Sequence, residues 1–400
     1  MIAKAYLRLA TLLVSSAVLV MAGGAYADPA TIKIGAPLPL TGPLSPEGTK
    51  LKQGYDLWAD TANAAGGISV GAEKRRIELV YYDYESNTPK AVQLAEKLVN
   101  DDKVDFLFGP FGSGPTKAAS SVAEKYGVPM IASTASSVEV YDQGYKNLFG
   151  VFTANDTLTE PIAELVSKNF PNVKKVAILA RNDLYPLALA QDFSKSAAKR
   201  GMQVVVFEKY AIGSMDHASA LTQMRAARPD WVIATGYVND LILIRKQMAD
   251  ISVRAPLITM INGPAYQEFI DAVGTLSDNV TSAAWWHPAA KYKGDDVFKS
   301  TENYAKLFSA KYKSDSDFTT AGGSAIGVVL QMAIEKAGTI DRAKVRETLS
   351  SSKFETFFGP LAFNSVGQAI SYTPPIFQIR GGKSVVVYPS EIASSQLQLK

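Results

Sequence analysis

From residue 31 onward, the chain alternates short apolar runs with longer segments whose apolar residues recur at helical spacing. Short strands separated by helices of about 10 to 15 residues are typical of parallel sheets with right-handed crossovers. Before Gly150 the pattern predicts strands at 31–36, 77–82, 104–108 and 128–132, helices at 51–64, 90–100 and 115–126, and a Gly/Pro-rich loop at 37–48. This part of the chain is therefore predicted to form one doubly wound α/β unit.

The same alternation restarts after Gly150. It predicts strands at 176–180, 204–207, 231–235 and 257–261, helices at 187–200, 218–226 and 241–249, two further helices at 297–311 and 320–337, and a β-hairpin at 376–388. The predicted fold class is thus α/β, with two doubly wound, Rossmann-like lobes.

Residues 1–27 have the features of a cleaved signal peptide. Lys4 and Arg8 give a positive start, an apolar run covers 9–21, and Ala25-Tyr26-Ala27 places small residues where a signal peptidase cuts. The alternative is an uncleaved membrane anchor, but the apolar run is shorter than the ~20 residues of a spanning helix. We therefore expect an exported protein that is free in the periplasm.

The composition narrows the chemistry. The 400-residue chain has no cysteine and 47% hydrophobic residues, so its core must form without disulfides. Thiolate catalysis, a lipidated cysteine and cysteine zinc sites are excluded, and the length suggests two domains. Without Lys4 and Arg8, 39 basic residues stand against 38 acidic ones, and no long basic run occurs. Nucleic acid is therefore not an expected partner, and no cofactor or metal is predicted.

The loop after the strand at 104–108 is the best candidate for a ligand site. Gly109, Gly112 and Gly114 let a ligand approach the backbone closely. Pro115 suits the first turn of the following helix. The unpaired N–H groups and positive dipole end of a helix N-terminus suit a carboxylate, and Ser113 adds a hydroxyl. The alternative is that Ser113 and the glycines only cap the helix.

A phosphate-binding loop does not fit the same segment. Gly109 and Gly114 have the G-x-x-x-x-G spacing, but Pro115 occupies the position of the required Lys. Nucleotide binding therefore has no mechanism here.

A second group of hydroxyls follows the strand at 128–132. Ser133, Thr134, Ser136 and Ser137 are placed at the carboxyl end of that strand, where open α/β sheets bind ligands. The alternative is a Ser/Thr-rich turn without a binding role.

Several motifs, in their order and spacing, resemble those of the branched-chain amino-acid-binding proteins of ABC importers, which have the type I periplasmic-binding fold. The motifs are Ile34-Gly35, Leu40-Thr41-Gly42-Pro43, Asn63-Ala64-Ala65-Gly66-Gly67-Ile68, Tyr82-Asp83, Pro89-Lys90-Ala91-Val92, Gly109-Pro110-Phe111-Gly112-Ser113, Tyr126-Gly127-Val128-Pro129 and Gly359-Pro360-Leu361. The resemblance implies that the chain crosses between the lobes three times, near Gly150, Trp285 and Ser371. Lobe one would comprise 31–150 plus 285–370, and lobe two 151–284 plus 371–395, joined by a three-strand hinge.

The resemblance also implies a set of ligand-binding residues. In lobe one, Thr134 would contribute a backbone carbonyl and Ser136 a hydroxyl, beside Phe111, Gly112 and Ser113. In lobe two, the family positions fall on Tyr185, Tyr237 and Asn262. A tyrosine presents an apolar body with a polar tip, which suits a small amphiphile. Either tyrosine could instead belong to the core.

Two departures from the family leave the ligand open. The family holds the ligand's ammonium with an acidic side chain where this chain has Asn262, and its first-lobe aromatic residue falls on Glu47. If Glu47 reaches the cleft, it could replace the lost charge; otherwise the ligand has no amine. Trp285 and Trp286 would either widen an aromatic pocket or pack at the hinge. Amino acids and aromatic carboxylates both remain candidates.

The sequence does not favour an enzyme. His217 and His287 are the chain's two histidines and lie in no nucleophile motif. Ser113 lacks the G-x-S-x-G elbow, no H-E-x-x-H occurs, and no spacing identifies a glycosidase carboxylate pair. We expect a monomeric solute-binding protein that closes two lobes around a small molecule and docks on a membrane ABC permease. A periplasmic sensor of the same fold, recognising an amide or related molecule, is the alternative.

Overall fold

The computed structural model describes residues 31–400. The predicted signal peptide lies outside these residues. The strands are β1 (Ile32–Leu38), β2 (Ile68–Val70), β3 (Glu73–Arg75), β4 (Ile77–Asp83), β5 (Phe106–Phe108), β6 (Met130–Ala132), β7 (Leu148–Thr153), β8 (Lys175–Arg181), β9 (Gln203–Tyr210), β10 (Trp231–Thr235), β11 (Leu257–Ile261), β12 (Val280–Ala283), β13 (Lys353–Thr356), β14 (Gly359–Ala362), β15 (Gln368–Ala369), β16 (Ile376–Arg380) and β17 (Lys383–Tyr388).

The α-helices occupy most of the remaining chain. They are α1 (Ser45–Ala64), α2 (Thr88–Asn100), α3 (Ser113–Tyr126), α4 (Asp156–Asn169), α5 (Leu184–Lys199), α6 (Ala218–Ala227), α7 (Val238–Asp250), α8 (Gln267–Val273), α9 (Thr301–Tyr312), α10 (Phe318–Ala337) and α11 (Arg342–Ser351). Across residues 31–400, no helix has the length and apolar character needed to cross a membrane.

Two large sheets organise the molecule. The first has the order β15-β7-β6-β5-β1-β4, and all of its neighbouring strands are parallel. The second has the order β17-β16-β12-β11-β10-β8-β9; it is parallel from β9 to β12 and ends in an antiparallel hairpin. Parallel strands joined by helices bury both sheet faces. The predicted α/β class with two doubly wound lobes is confirmed.

The chain passes between the two sheets three times. It leaves the first sheet after β7 and enters the second through α4 and β8; it returns after β12 and leaves again between β15 and β16. Helices α9, α10 and α11 follow the second passage, and α10 packs against α1 in the first lobe. There Gly327 lies against Trp58, where an added Cβ would be 2.1 Å from the indole ring.

The sequence pattern misplaced several element boundaries. The predicted loop at 37–48 was wrong at both ends, because β1 continues to Leu38 and α1 begins at Ser45. The helix predicted from residue 297 begins at Thr301, where the Ser300 hydroxyl accepts a hydrogen bond from the Asn303 backbone N–H (3.1 Å). The earlier start of α1 brings Glu47 into its first turn, which contacts the second lobe.

Candidate functional site

The loops after β5 and β6 are tied together around Ser113. Gly112 precedes α3, and its backbone N–H donates to Thr134 Oγ1 (3.0 Å). The Ser113 hydroxyl oxygen accepts from the backbone N–H groups of Ser136 and Ser137, both at 3.3 Å, and Ser113 is fully buried. A hydroxyl has one donor and two acceptor lone pairs. Because both bonds use its oxygen as acceptor, the Ser113 proton is left to donate to another group.

The remaining hydroxyls of this cluster have different roles. Thr134 Oγ1 holds the loop before α3, as its bond to Gly112 shows. The Ser137 hydroxyl is buried and has no hydrogen-bond partner within residues 31–400. From β15, Gln368 Nε2 donates to the Ser136 carbonyl (2.9 Å). The strand that precedes the third crossing between the lobes therefore helps to hold this loop.

Tyr185 and Asn262 meet in the second lobe. Tyr185 lies in the first turn of α5 and Asn262 directly follows β11. The Tyr185 hydroxyl donates to Asn262 Oδ1 at 3.2 Å. Burial raises the pKa of Tyr185, which keeps its hydroxyl neutral. Asn262 adopts a φ of +81°, a backbone conformation that is uncommon for a residue other than glycine.

Tyr237 links the second lobe to the first. It precedes α7, and its ring lies 5.5 Å from that of Phe111 and 6.2 Å from that of Tyr185, between centroids. A Cβ built on Gly112 would be 3.2 Å from the Tyr237 hydroxyl oxygen. The glycine at position 112 therefore allows the two lobes to approach at the N-terminus of α3.

Arg181 stands behind Tyr237 and was missed by the sequence reasoning. Its Nη1 lies 2.8 Å from Asp240 Oδ2 and its Nε lies 3.5 Å from Asp183 Oδ2. Its guanidinium carbon is 5.0 Å from the Tyr237 ring centroid, within reach of a cation–π interaction. The guanidinium is thus already paired with two carboxylates. Arg181 and Asp240 are 59 positions apart in the chain, so the sequence gave no sign that they form an ion pair.

Glu47 lies in the first turn of α1 and reaches across to the second lobe. Its Oε1 accepts a hydrogen bond from the Val238 backbone N–H, at the start of α7 (3.2 Å). The residue is 1% exposed, and its Oε2 has no hydrogen-bond partner among residues 31–400. Burial raises the pKa of Glu47 to about 7, although the backbone N–H groups of Glu47 and Val238 partly oppose the shift.

Comparisons with known proteins identify the family of this chain. Residues 31–383 match the family model described as "Periplasmic binding protein". The chain belongs to the periplasmic binding protein family. It is 28% identical over 349 residues to the leucine-, isoleucine-, valine-, threonine- and alanine-binding protein of Pseudomonas aeruginosa, with 87% of this chain and 90% of that protein covered.

Solved structures share the fold. The substrate binding protein LivJ of Streptococcus pneumoniae, in complex with isoleucine, is similar with a TM-score of 0.80 and 26% identity, covering 90% of this chain and 100% of that one. A solute binding protein of an ABC transporter from R. palustris, in complex with benzoate, has a TM-score of 0.76 and 22% identity, covering 92% and 100%. The predicted membership of the branched-chain amino-acid type, with the type I fold, is confirmed.

The adjacent tryptophans Trp285 and Trp286 of this periplasmic binding protein have different surroundings. Trp285 stacks on Phe152 at 4.5 Å, and its Nε1 donates to the Thr153 carbonyl (2.9 Å). It therefore packs where the first and second crossings between the lobes meet. Its ring also lies 6.1 Å from that of Tyr185. Trp286 instead packs edge-on against Tyr304.

A cavity of about 1080 Å³ opens between the lobes on the side of Trp286. It is lined by residues of both lobes, among them Lys50, Tyr266, Glu268, Trp286, Asp317 and Phe318. Lys50 Nζ pairs there with Glu268 (2.7 Å) in α8 and with Asp317 (3.0 Å) at the start of α10. The Tyr266 and Thr319 hydroxyls also meet across the lobes at 2.7 Å. Ser113 does not line this cavity.

All the predicted site residues are buried, and the structure groups them in pairs. Ser113 contacts Ser136, Thr134 holds Gly112, Tyr185 contacts Asn262, Phe111 packs on Tyr237, and Glu47 caps α7. Their role in ligand binding stays a prediction. Within residues 31–400, no group of histidine and acidic side chains is arranged to hold a metal ion.

Proposed function

We propose that the protein is the extracytoplasmic solute-binding subunit of an ABC importer. It would hold a small carboxylate-bearing ligand, an amino acid or an aromatic acid, between its two lobes. The single observation that carries this proposal is the Ser113 hydroxyl, which is buried at the N-terminus of α3, accepts two hydrogen bonds and donates to no acceptor within residues 31–400. The names of the Pseudomonas relative and of the isoleucine and benzoate complexes support this ligand class.

A carboxylate suits this position for electrostatic reasons. A helix N-terminus carries a partial positive charge and unpaired N–H groups, and a hydroxyl that donates to a carboxylate forms a charge-assisted hydrogen bond. The Ser136 hydroxyl, on the neighbouring loop, would be a second donor to the carboxylate. The Thr134 carbonyl, which can only accept, would bind a donor group elsewhere on the ligand. Phe111 would provide an apolar wall.

The second lobe would complete the site by closing over the ligand. Tyr185, Tyr237 and Asn262 lie on the carboxyl side of the second sheet, and the Tyr237 ring lies 5.5 Å from that of Phe111 in the first lobe. A ligand shifts such a hinge equilibrium only by its differential affinity for the closed state. The closed form, as a monomer in the periplasm, would dock on the membrane permease and release its cargo without chemical change.

Replacing Ser113 by alanine tests the carboxylate site. The substitution removes one buried hydrogen bond to a charged group, which is worth about 1–3 kcal/mol, so the dissociation constant should rise roughly five- to 150-fold. Calorimetry with leucine, isoleucine and benzoate would measure the change for whichever acid binds the wild-type protein.

Ser121→Ala is a matched control on the same helix. Its hydroxyl donates to the Ala118 carbonyl within α3 (2.7 Å) and is remote from the loop, so its affinity should equal that of the wild type. Equal affinities for Ser113→Ala and Ser121→Ala would remove Ser113 from the site and with it the observation that carries the proposal.

A further inference from the structure

Glu47 is a buried carboxylate without a counter-charge. One oxygen accepts from the Val238 N–H, the other has no hydrogen-bond partner within residues 31–400, and the side chain points from lobe one into lobe two. An ionised carboxylate is costly to bury unless it is paired. A carboxyl group buried in this way is neutralised either by a proton, as its raised pKa indicates, or by a cation that arrives from outside the chain.

The nearest cationic side chains are already engaged. Lys50, one turn along α1, pairs with Asp317 and Glu268, and those two carboxylates raise its pKa even though burial opposes the shift. Arg181 pairs with Asp240 and Asp183. Neither forms an ion pair with Glu47, and the charge of Lys50 lowers the Glu47 pKa less than burial raises it. Among residues 31–400, no cation is therefore paired with the Glu47 carboxyl group.

The carboxylate also lies on the same surface as the Ser113 loop. Val238, which donates to Glu47, directly follows Tyr237. The Tyr237 hydroxyl lies 3.2 Å from the position that a Cβ on Gly112, next to Ser113, would occupy. The first turn of α7 therefore contacts both Glu47 and the N-terminus of α3. One side of this interlobe contact therefore offers a hydroxyl donor for an anion, and the other offers a carboxyl oxygen without a hydrogen-bond partner among residues 31–400.

We infer that Glu47 pairs with a positively charged group of the ligand, so that the cargo is a zwitterionic amino acid rather than a simple aromatic acid. This inference rests on the proposed function. The neutral Asn262 amide then serves to hold the Tyr185 hydroxyl, and the counter-charge for the ammonium comes from the opposite lobe. A benzoate-like anion would instead bring a second negative charge towards Glu47.

Paired acids with and without an amine test the inference. The probes are L-leucine with isocaproate, L-phenylalanine with hydrocinnamate, and benzoate, each titrated calorimetrically into the wild-type protein and into Glu47→Gln. We expect the wild type to bind one of the amino acids at least tenfold more tightly than its des-amino partner. Glu47→Gln should lower the affinity for that amino acid by about tenfold or more, as loss of a charge-assisted hydrogen bond does. Its affinity for the des-amino partner should stay the same or increase.

Matched variants control for folding and for net charge. Glu302→Gln makes the same change at an exposed position in the first turn of α9 and should bind as the wild type does. Thermal unfolding should show Glu47→Gln at least as stable as the wild type, because it removes a buried charge. If Glu47→Gln does not fold, Glu47→Asp keeps the charge and should retain the preference for the amine.

Proton release distinguishes a carboxylate from a carboxylic acid at Glu47. The groups around it are Lys50 on α1, Asp240 on α7, and the hydroxyls of Tyr84, Tyr237 and Tyr266. Near pH 7, binding of an ammonium should expel a proton from Glu47, seen as a dependence of the calorimetric heat on the ionisation enthalpy of the buffer. That dependence should vanish in Glu47→Gln.

The outcomes separate the inference from the proposed function. Equal binding of the amine and its des-amino partner, unchanged amino-acid binding in Glu47→Gln, or proton uptake on binding would overturn the role of Glu47. Binding of benzoate alone among the probes would also overturn it while leaving a carboxylate-binding protein intact. Binding of none of the probes would overturn both.

Discussion

Gly112 has a backbone conformation that other residues rarely adopt, and it faces Tyr237 of the other lobe. Its φ is +88° and its ψ 157°, and an added Cβ would be 3.2 Å from the Tyr237 hydroxyl. This region of backbone space is nearly restricted to glycine and costs other residues about 1–3 kcal/mol. We expect Gly112→Ala to lower the thermal stability and, because the methyl group obstructs closure, to weaken ligand binding. Thermal unfolding and calorimetry would measure the two effects.

Gly127 provides the matched control for that substitution. It ends α3 with a φ of +62°, and an added Cβ would have no atom within 4 Å. Gly127→Ala should therefore cost about 1–2 kcal/mol of stability through backbone strain alone and leave the affinity unchanged. If both alanine variants lose affinity equally, the approach of Tyr237 to Gly112 has no part in binding.

The sequence reveals a residue when its role depends on its neighbours along the chain. Ser113 is recognisable because glycines and Pro115 surround it between a strand and a helix. Glu47 is different: its partner, the Val238 N–H, is 191 residues away, and the contact depends on how the two lobes meet. The sequence could say only what would follow if Glu47 reached the cleft. The same holds for Arg181, which is paired with Asp240 by the neighbouring ends of β8 and α7.

At the scale of elements, Asp317 joins the N-terminus of α10 to the interlobe ion pairs. Its Oδ1 accepts from the Thr319 and Thr320 N–H groups, both at 2.9 Å, while its Oδ2 faces Lys50 at 3.0 Å. Loss of an N-cap costs about 0.5–2 kcal/mol. We expect Asp317→Ala to lower the free energy of unfolding by about 2 kcal/mol, the upper end of this range, since α10 is buried along most of its length. Urea denaturation would measure it.

Two further variants isolate the contribution of the cap. Asp317→Asn keeps an oxygen that can accept from the helix and should lose less stability than Asp317→Ala. Asp341→Ala removes a single capping bond, to the Lys344 N–H at the exposed start of α11, and should cost about 1 kcal/mol or less. An Asp317→Ala protein as stable as Asp317→Asn would show that the cap contributes nothing.

Elements with strong local patterns were predictable, and those shaped by tertiary packing were not. Strands β10 and β11 match their predicted bounds because each is a short apolar run between helices. Strand β7 is buried along its whole length and contains Gly150, so it shows no alternation of apolar and polar residues. Helix α4 contains Pro161, which argues against a helix when only the sequence is considered. Both were absent from the predicted elements.

At the scale of the molecule, the two lobes are held in contact by groups that also carry charge. Lys50 of lobe one pairs with Glu268 of lobe two, the Tyr266 and Thr319 hydroxyls meet, and Glu47 accepts from Val238. An opening of the lobes would expose these groups to water. In the proposed hinge closure, the free energy that these groups gain or lose when the lobes meet would set how far the ligand-free protein is open.

If the lobes open and close as proposed, Glu47 would make this balance depend on pH. Contact between the lobes raises its pKa from 4.5 to about 7, with burial as the main cause, whereas an open form would leave the carboxyl hydrated. The closed form thus holds a proton more tightly than the open form. Protonation of Glu47 therefore stabilises the closed form relative to the open form. This stabilisation is fully present below about pH 4.5 and is lost as the pH rises through about 7. A shift of this size corresponds to about 3 kcal/mol, since one pKa unit is worth about 1.4 kcal/mol.

Small-angle scattering on the ligand-free protein would measure the consequence. We expect the radius of gyration to increase between pH 5 and pH 8 as the lobes separate, and Glu47→Gln to remain compact at both values because its neutral side chain carries no burial cost for a charge. Glu302→Gln should open as the wild type does. A saturating amino acid should suppress the increase in the wild type, since an ammonium paired with Glu47 replaces the proton. A radius that does not change with pH in the wild type, or that changes equally in Glu47→Gln, would mean that another group controls closure.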